Sequence, residues 1–224
     1  MKYELKKYLV LLAMSLWITV YGQTINRYGT TSANFLEIGV GSNATAMGDA
    51  YVAVANDVSS IYWNPAGLSN VPRSSALFMI QPWLVDIDML FAGGAMVLPK
   101  IGVIGLGITH LDYGEMDVTN LQYQDGTGER FSASDVAATF TFSRKIVSWF
   151  SFGSSIKYIS SNIWHSSASA FAVDLGVLVN TNFFSFTGKD KDGMNIGMSI
   201  SNYGTRMRYN GIDNYQPVDI SEFE

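Results

Sequence analysis

Few residues in this chain are of types that do chemistry, and the first group lies near its start. Ile38-Gly39-Val40-Gly41-Ser42-Asn43-Ala44 has the form of a strand entering GxGxxA and then a helix. In a dinucleotide-binding domain such a turn seats a pyrophosphate on the helix N-terminus, and an acid about 20 residues on holds the ribose. Asp57 lies near that distance. His110 and His165 are the only histidines, and they stand far apart in neither an HxxxH nor an HExxH frame. A histidine metal site or a triad is therefore not expected. Asp86 and Asp88 offer two carboxylates where a hard cation needs about six oxygens or more, so they read as a solvated hairpin. Lys157 and Asp174 fall in segments that alternate in polarity.

The elements that must position these groups are strands. Phe171–Val179 sets Phe171, Val173, Leu175, Val177 and Val179 against Ala172, Asp174, Gly176 and Leu178. Val136–Arg144 sets Val136, Ala138, Phe140 and Phe142 against Ala137, Thr139, Thr141 and Ser143. Phe150–Tyr158 sets Phe150, Phe152, Ile156 and Tyr158 against Ser151, Gly153, Ser155 and Lys157. Ile104–Thr109 and Ile196–Ser201 alternate in the same way, and Ser75–Gln81 and Leu90–Leu98 bring the expectation to about seven strands. A soluble sandwich carries large polar groups on its outer face. Here the second face is mostly Gly, Ala, Ser and Thr. Bulky apolar residues opposite small ones fit a closed barrel in lipid, with the small face turned inward. The expected fold is thus all-β, an antiparallel transmembrane β-barrel with a short N-terminal helical plug. A secreted soluble β-sandwich adhesin is the alternative.

Composition agrees with a membrane barrel. Charged residues make up 15% of the 224, against about 25% in ordinary soluble domains, and aromatics make up 13%. The net charge of −5 supplies no basic stripe for nucleic acid. Lys2, Lys6 and Lys7 precede the apolar run Tyr8–Val20, which is shorter than the roughly 20 residues of a spanning helix. Residues 1–22 therefore read as a secretory signal peptide cleaved after Gly22. The chain has no Cys, so neither a disulfide scaffold nor a lipidated N-terminus is available to it.

Within this frame residues 23–70 form a plug segment and 71–224 the N-terminal part of the barrel. The dinucleotide reading fails, because the fingerprint needs a βαβ unit and this one leads into Tyr62-Trp63-Asn64-Pro65-Ala66-Gly67, a turn. The helix is expected over Asn43–Ala55, capped by Ser42 or Asn43, with Ala44, Met47, Tyr51 and Val54 on one face. Its other sides are small (Ala46, Gly48, Ala50, Ala53, Ala55), so it is expected to be buried. Short turns at Pro99–Gly102 and Lys145–Trp149 and a long polar segment, Gly114–Ser134, place the long segment outside. The Asn182–Asn195 connection is too long for that pattern unless its strands extend toward Lys189–Gly193. Seven strands is an odd number and the tail Tyr209–Glu224 is polar, so further strands are expected beyond Glu224. Lys157 and Asp174 are expected on inward faces of adjacent strands, as a pair or as a headgroup site.

Ala44-Thr45-Ala46-Met47-Gly48-Asp49-Ala50-Tyr51-Val52-Ala53-Val54-Ala55-Asn56-Asp57 followed by Tyr62-Trp63-Asn64-Pro65-Ala66-Gly67-Leu68 resembles the N-terminal hatch of FadL-like outer-membrane barrels. It is most similar to the PorV/PorQ branch associated with type IX secretion. Trp83 with Asp86, Asp174-Leu175-Gly176 and Asn202-Tyr203-Gly204 add to the likeness, which runs from about Gly39 to the end of the chain. The resemblance implies a non-enzymatic outer-membrane protein without cofactor or metal. Its partners would be outer-membrane lipid, the type IX translocon and cargo proteins. It also implies a plug and gate made by Gly41, Asn43, Met47, Gly48, Asp49, Tyr51, Asp57, Tyr62, Asn64, Pro65, Ala66 and Gly67. A FadL-like channel is the alternative, with a hydrophobic small molecule near Met47, Tyr51, Tyr62 and Trp63.

Overall fold

Period-two patterning becomes one antiparallel meander. The computed structural model describes residues 32–85, 87–187 and 193–212. The segment expected to be a signal peptide, Asp86, Lys189–Asp192 and the tail beyond residue 212 lie outside them. The strands are β1 Ser75–Pro82, β2 Asp88–Leu98, β3 Gly102–Asp117, β4 Arg130–Val147, β5 Phe150–Ile163, β6 Ser166–Asn180, β7 Asn195–Gly204 and β8 Asn210–Gly211. Each of β1 to β6 pairs with the next in chain order, and β8 pairs with β6. All eight belong to one sheet, so the described residues contain no second layer for the sandwich alternative. β1 and β7 are not paired with each other, and the sheet is open between them.

Burial divides the faces as the alternation requires. On β6, Phe171, Val173 and Leu175 are exposed while Ala172, Asp174, Gly176 and Leu178 are buried. On β5 the exposed set is Phe152, Ile156 and Tyr158, and the buried set includes Ser151, Ser155 and Lys157. β3 exposes Leu106 and Ile108, and β4 exposes Phe140. Bulky apolar groups thus face outward, and the small face is covered by residues 33–71. Phe35, Leu36, Val40, Val58, Ile61, Leu68 and Val71 pack there against Met89, Phe91, Val103, Leu111 and Ile159 from the strands. Each large side chain so buried contributes about 1.5–3 kcal/mol.

The strands outrun their apolar cores, because polar residues continue the ladder at one end. β3 and β4 stay paired up to Asp117↔Arg130, across an irregularity at Asp112/Glu115. The long connection is therefore residues 118–129, shorter than the expected Gly114–Ser134. Arg130 ties the hairpin through Glu115 (3.2 Å) and Asp117 (3.1 Å). β6 and β7 stop at Asn180 and Asn195, with two further backbone bonds, Thr181 N–H to Met194 O (3.0 Å) and Met194 N–H to Phe183 O (2.9 Å). Among the described residues the strands do not extend further into that connection. The tail begins with a strand after all, since Asn210 and Gly211 pair with Ser167 and Ser166.

The largest correction concerns the plug helix. It spans only Ser42–Ala46, not Asn43–Ala55. Gly48 N–H bonds Thr45 O and Asp49 N–H bonds Ala44 O, a Schellman stop with Gly48 left-handed at φ 62°. Asp49 follows at φ 65°, a conformation that Asp tolerates better than most residues. Gly41 is the N-cap and there is no side-chain cap, so Ser42 and Asn43 lie inside the helix. The expected buried face survives only in Ala44 and Tyr51; Met47 (49% exposed) and Val54 (38%) are turned to the open side.

Candidate functional site

Two constructions on the small face hold the residues singled out by sequence. The first is the seat of Asn64-Pro65-Ala66-Gly67. A helical turn, Ser60–Trp63, leads into a 3-10 helix, Pro65–Asn70, with Pro65 at its first position, where a missing N–H is harmless. Asp57 starts the turn: its carboxylate accepts from the N–H (2.9 Å) and hydroxyl of Ser59, and Tyr51 reaches it at 3.5 Å. The acid that mimicked a ribose ligand is thus used locally.

Asn64 is fully buried and joins separate pieces of chain. Its Oδ1 accepts from Ala66 N–H (3.0 Å), and its Nδ2 donates to Val52 O (2.9 Å) and Val177 O (3.2 Å). The Ala66 carbonyl accepts from Ser69 Oγ (2.8 Å) and from Ser143 Oγ on β4 (3.1 Å). Glycines make this approach possible. A Cβ at Gly153 would overlap the backbone of Pro65 and Ala66, one at Gly176 would overlap Asn64, and one at Gly197 would meet Ala53 at 2.6 Å. Gly105 and Gly107 do the same beneath Leu68 and Ile61, and Gly67 itself lies against the Ala55 carbonyl. Four strands, β3, β5, β6 and β7, therefore give up side chains to admit the plug.

The aromatic residues fasten the earlier part of the segment. Tyr62 Oη donates to Leu36 O (2.6 Å) and Trp63 Nε1 to Val40 O (2.7 Å), while the Tyr62 and Trp63 rings meet edge-on at 5.0 Å. Burial, then the Asp49 and Glu37 carboxylates, push the Tyr62 hydroxyl above its ordinary range. Burial, then Asp57, raise that of Tyr51. Gly41 N–H points at Met79 Sδ (3.3 Å). Asn43, Met47, Gly48 and Asp49 are exposed and make no part of this seat.

The second construction is Lys157 with Asp174. They sit diagonally on β5 and β6, nitrogen to oxygen 2.9 Å, both almost wholly buried. Opposite Asp174 the β6–β7 register slips, so Ser201 and Asn202 together face one residue. This is a β-bulge, with Asn202 at φ 58°. Asn202 N–H donates to Asp174 Oδ1 (2.7 Å), and Lys157 Nζ donates to Asn202 Oδ1 (2.7 Å). The ammonium also stands 6.0 Å from the centre of the Tyr62 ring, within cation–π range. Sequence reasoning paired Lys157 with Asp174 but missed Asn202. The Asp-Leu-Gly and Asn-Tyr-Gly echoes were its only signal, and here they meet across one bulge.

An antiparallel sheet that is apolar outside, glycine-rich inside and wrapped on an N-terminal plug is of the β-barrel class. The family is narrower than the class. The family model described as type IX secretion system protein PorV matches residues 22–222, and the chain belongs to that family. Searches of curated proteins and of solved structures returned no match.

Proposed function

We propose that this protein sits in the outer membrane and handles cargo for type IX secretion, as a non-enzymatic barrel with a fixed plug. Family membership gives the secretion role, and the outward apolar face of β3 to β6 suits contact with lipid. The observation that carries the fixed plug is the seat of Asn64-Pro65-Ala66-Gly67 in glycines of β5 and β6. A gated channel for a hydrophobic small molecule needs a plug that shifts. Here a shift would strand the Asn64 amide, the Ala66 carbonyl and the glycine hollows together. The residues proposed for its ligand are also committed elsewhere, Tyr51, Tyr62 and Trp63 to their hydrogen bonds and Met47 to the open side. Working surfaces for cargo are then the strand ends, with the connection 118–129 outside the cell.

Deletion of the gene tests this. Type IX cargo should accumulate in the periplasm while uptake of hydrophobic compounds stays normal. An unchanged secretome with impaired uptake would reverse the assignment. Membrane location has a separate check, since detergent and not high salt should release the protein from envelopes.

A further inference from the structure

The outward face of β1 to β3 is not uniformly bulky. Over Ala92 and Gly94 of β2 it carries a groove of about 430 Å³, walled by Phe78 of β1 and by Leu106 and Ile108 of β3. The register explains it. Ala92 pairs with Phe78 on one side and Ile108 on the other, and Gly94 pairs with Ala76 and Leu106. A Cβ at Gly94 would meet nothing within 4 Å. Phe78, Leu106 and Ile108 are all exposed, so no described segment of the chain covers the groove.

Cations lie at the ends of the same strands. Arg73 precedes β1, and Ser74 Oγ accepts from Val97 N–H (3.1 Å), which holds this approach beside the end of β2. Lys100 sits in the β2–β3 turn, closed by Ile101 N–H to Leu98 O (3.1 Å). It is held left-handed at φ 71°, where glycine would be unstrained. Arg144 and Lys145 continue the rim on β4, just past the pair Val103↔Ser143. These side chains are exposed, and among the described residues none of them has a hydrogen bond or an ion pair. No Asp or Glu occurs in residues 71–76, 96–104 or 142–152, whereas the opposite strand ends carry Asp88, Asp112, Glu115 and Asp117.

Charge and shape at this rim call for one kind of molecule. Lys and Arg beside an apolar surface attract the anionic headgroups of a bilayer. A guanidinium grips a phosphate through two parallel bonds, and an ammonium adds a point charge. The groove in turn asks for a slender apolar chain. Along β2, Gly94 is about 20 Å from Lys100 at roughly 3.4 Å per residue. With the strand tilt of about 40° usual in membrane barrels, that is a depth of about 15 Å, one half of a hydrocarbon core. A phospholipid with its phosphate at the rim therefore brings an acyl chain to the groove. Trp149, exposed at the same end, suits the headgroup level.

We propose that the outward face of β1 to β3 binds one anionic phospholipid, its phosphate on Arg73 and Lys100 and an acyl chain in the groove over Ala92 and Gly94. The inference rests on the membrane reading for the source of the lipid.

The test is native mass spectrometry of the full protein in detergent micelles, titrated with dioleoyl-phosphatidylglycerol. Dioleoyl-phosphatidylcholine, with the same chains and no net charge, serves as the control. Phosphatidylglycerol should bind at least about tenfold more tightly. The double variant Arg73→Gln/Lys100→Gln should abolish that preference. Gly94→Leu, which fills the groove from a position with free space, should weaken both lipids at least about threefold and keep their ratio. Equal binding of the two lipids, a preference that survives the double variant, or no effect of Gly94→Leu would overturn the site. So would displacement of the lipid by inorganic phosphate at equal concentration, since the chain would then contribute nothing. The comparison on the unaltered protein remains decisive even if a variant fails to assemble. Release from envelopes by high salt would remove the membrane reading and the site with it. Detergent-only release with equal lipid binding would remove the site alone.

Discussion

The plug has two halves that look alike in sequence and behave differently in the fold. Ser42–Val54 is rich in Ala and Gly, yet its helix ends after five residues, and Thr45 through Ala50 are exposed. Ser59–Leu68 has no such run of exposure; each of its residues is buried or half-buried. The difference is what the wall offers. Opposite the second half, glycines of β3, β5 and β6 leave hollows fitted to Ile61, Leu68, Asn64 and Pro65. Opposite the first half, Gly197 alone makes such an approach, at Val52 and Ala53. Burial is thus decided by the complement across the gap, not by the smallness of the plug residue. The first half is held mainly at its ends, by Gly41 against Met79 and by Val52 against Asn64.

Breaking the second half should have the largest effects. Gly153→Val drives a side chain into the Pro65–Ala66 backbone, which cannot move aside as a side-chain tip would. The variant should fail to give the heat-modifiable folded band in envelopes. Gly94→Val is the control, since a Cβ there meets nothing within 4 Å, and it should assemble normally. Lys157→Met comes next. It leaves Asp174 buried and unpaired, which destabilises by about 3–5 kcal/mol, readable as a lowered urea midpoint in micelles. Replacing Asp174 as well, in Lys157→Met/Asp174→Leu, should recover part of the loss. Full recovery would mean that the bond to the Asn202 bulge contributes nothing. Asn64→Ala follows, orphaning the Ala66 N–H and two carbonyls at about 1–3 kcal/mol for each group that water cannot reach. A cost below about 1 kcal/mol would show that the seat is not what holds the plug.

Much of the sheet was legible, because an outward face of bulky apolar residues and a face packed on a plug leave opposite marks on alternate residues. Phe171, Val173 and Leu175 against Ala172, Asp174 and Gly176 could hardly be read otherwise. Period two also placed Lys157 and Asp174 on one face. It could not reveal the bulge at Ser201–Asn202, because a bulge inserts one residue without altering composition. The plug was legible as a motif but not as a shape. Ala and Gly at Ala46, Gly48, Ala50 and Ala53 satisfy a buried helix and an exposed turn equally well. Only Gly48 beside Asp49, a pair fitted to left-handed backbone, hinted at a stop.

The smallest expected effect bears most directly on the comparison. Gly48→Ala adds a methyl group with nothing within 4 Å of it, so packing is unchanged and only the backbone resists. Holding Ala left-handed where Gly sat freely costs about 1 kcal/mol, and the exposed turn can relax part of that strain. The urea midpoint should fall slightly, assembly should be normal, and cargo secretion should match the unaltered protein. Met47→Ser, on a half-exposed side chain outside both packed clusters, should move the midpoint less still. If either change matched Asn64→Ala, the first half would be carrying the plug. The glycine hollows of β5 and β6 would then accommodate a segment held from its other end.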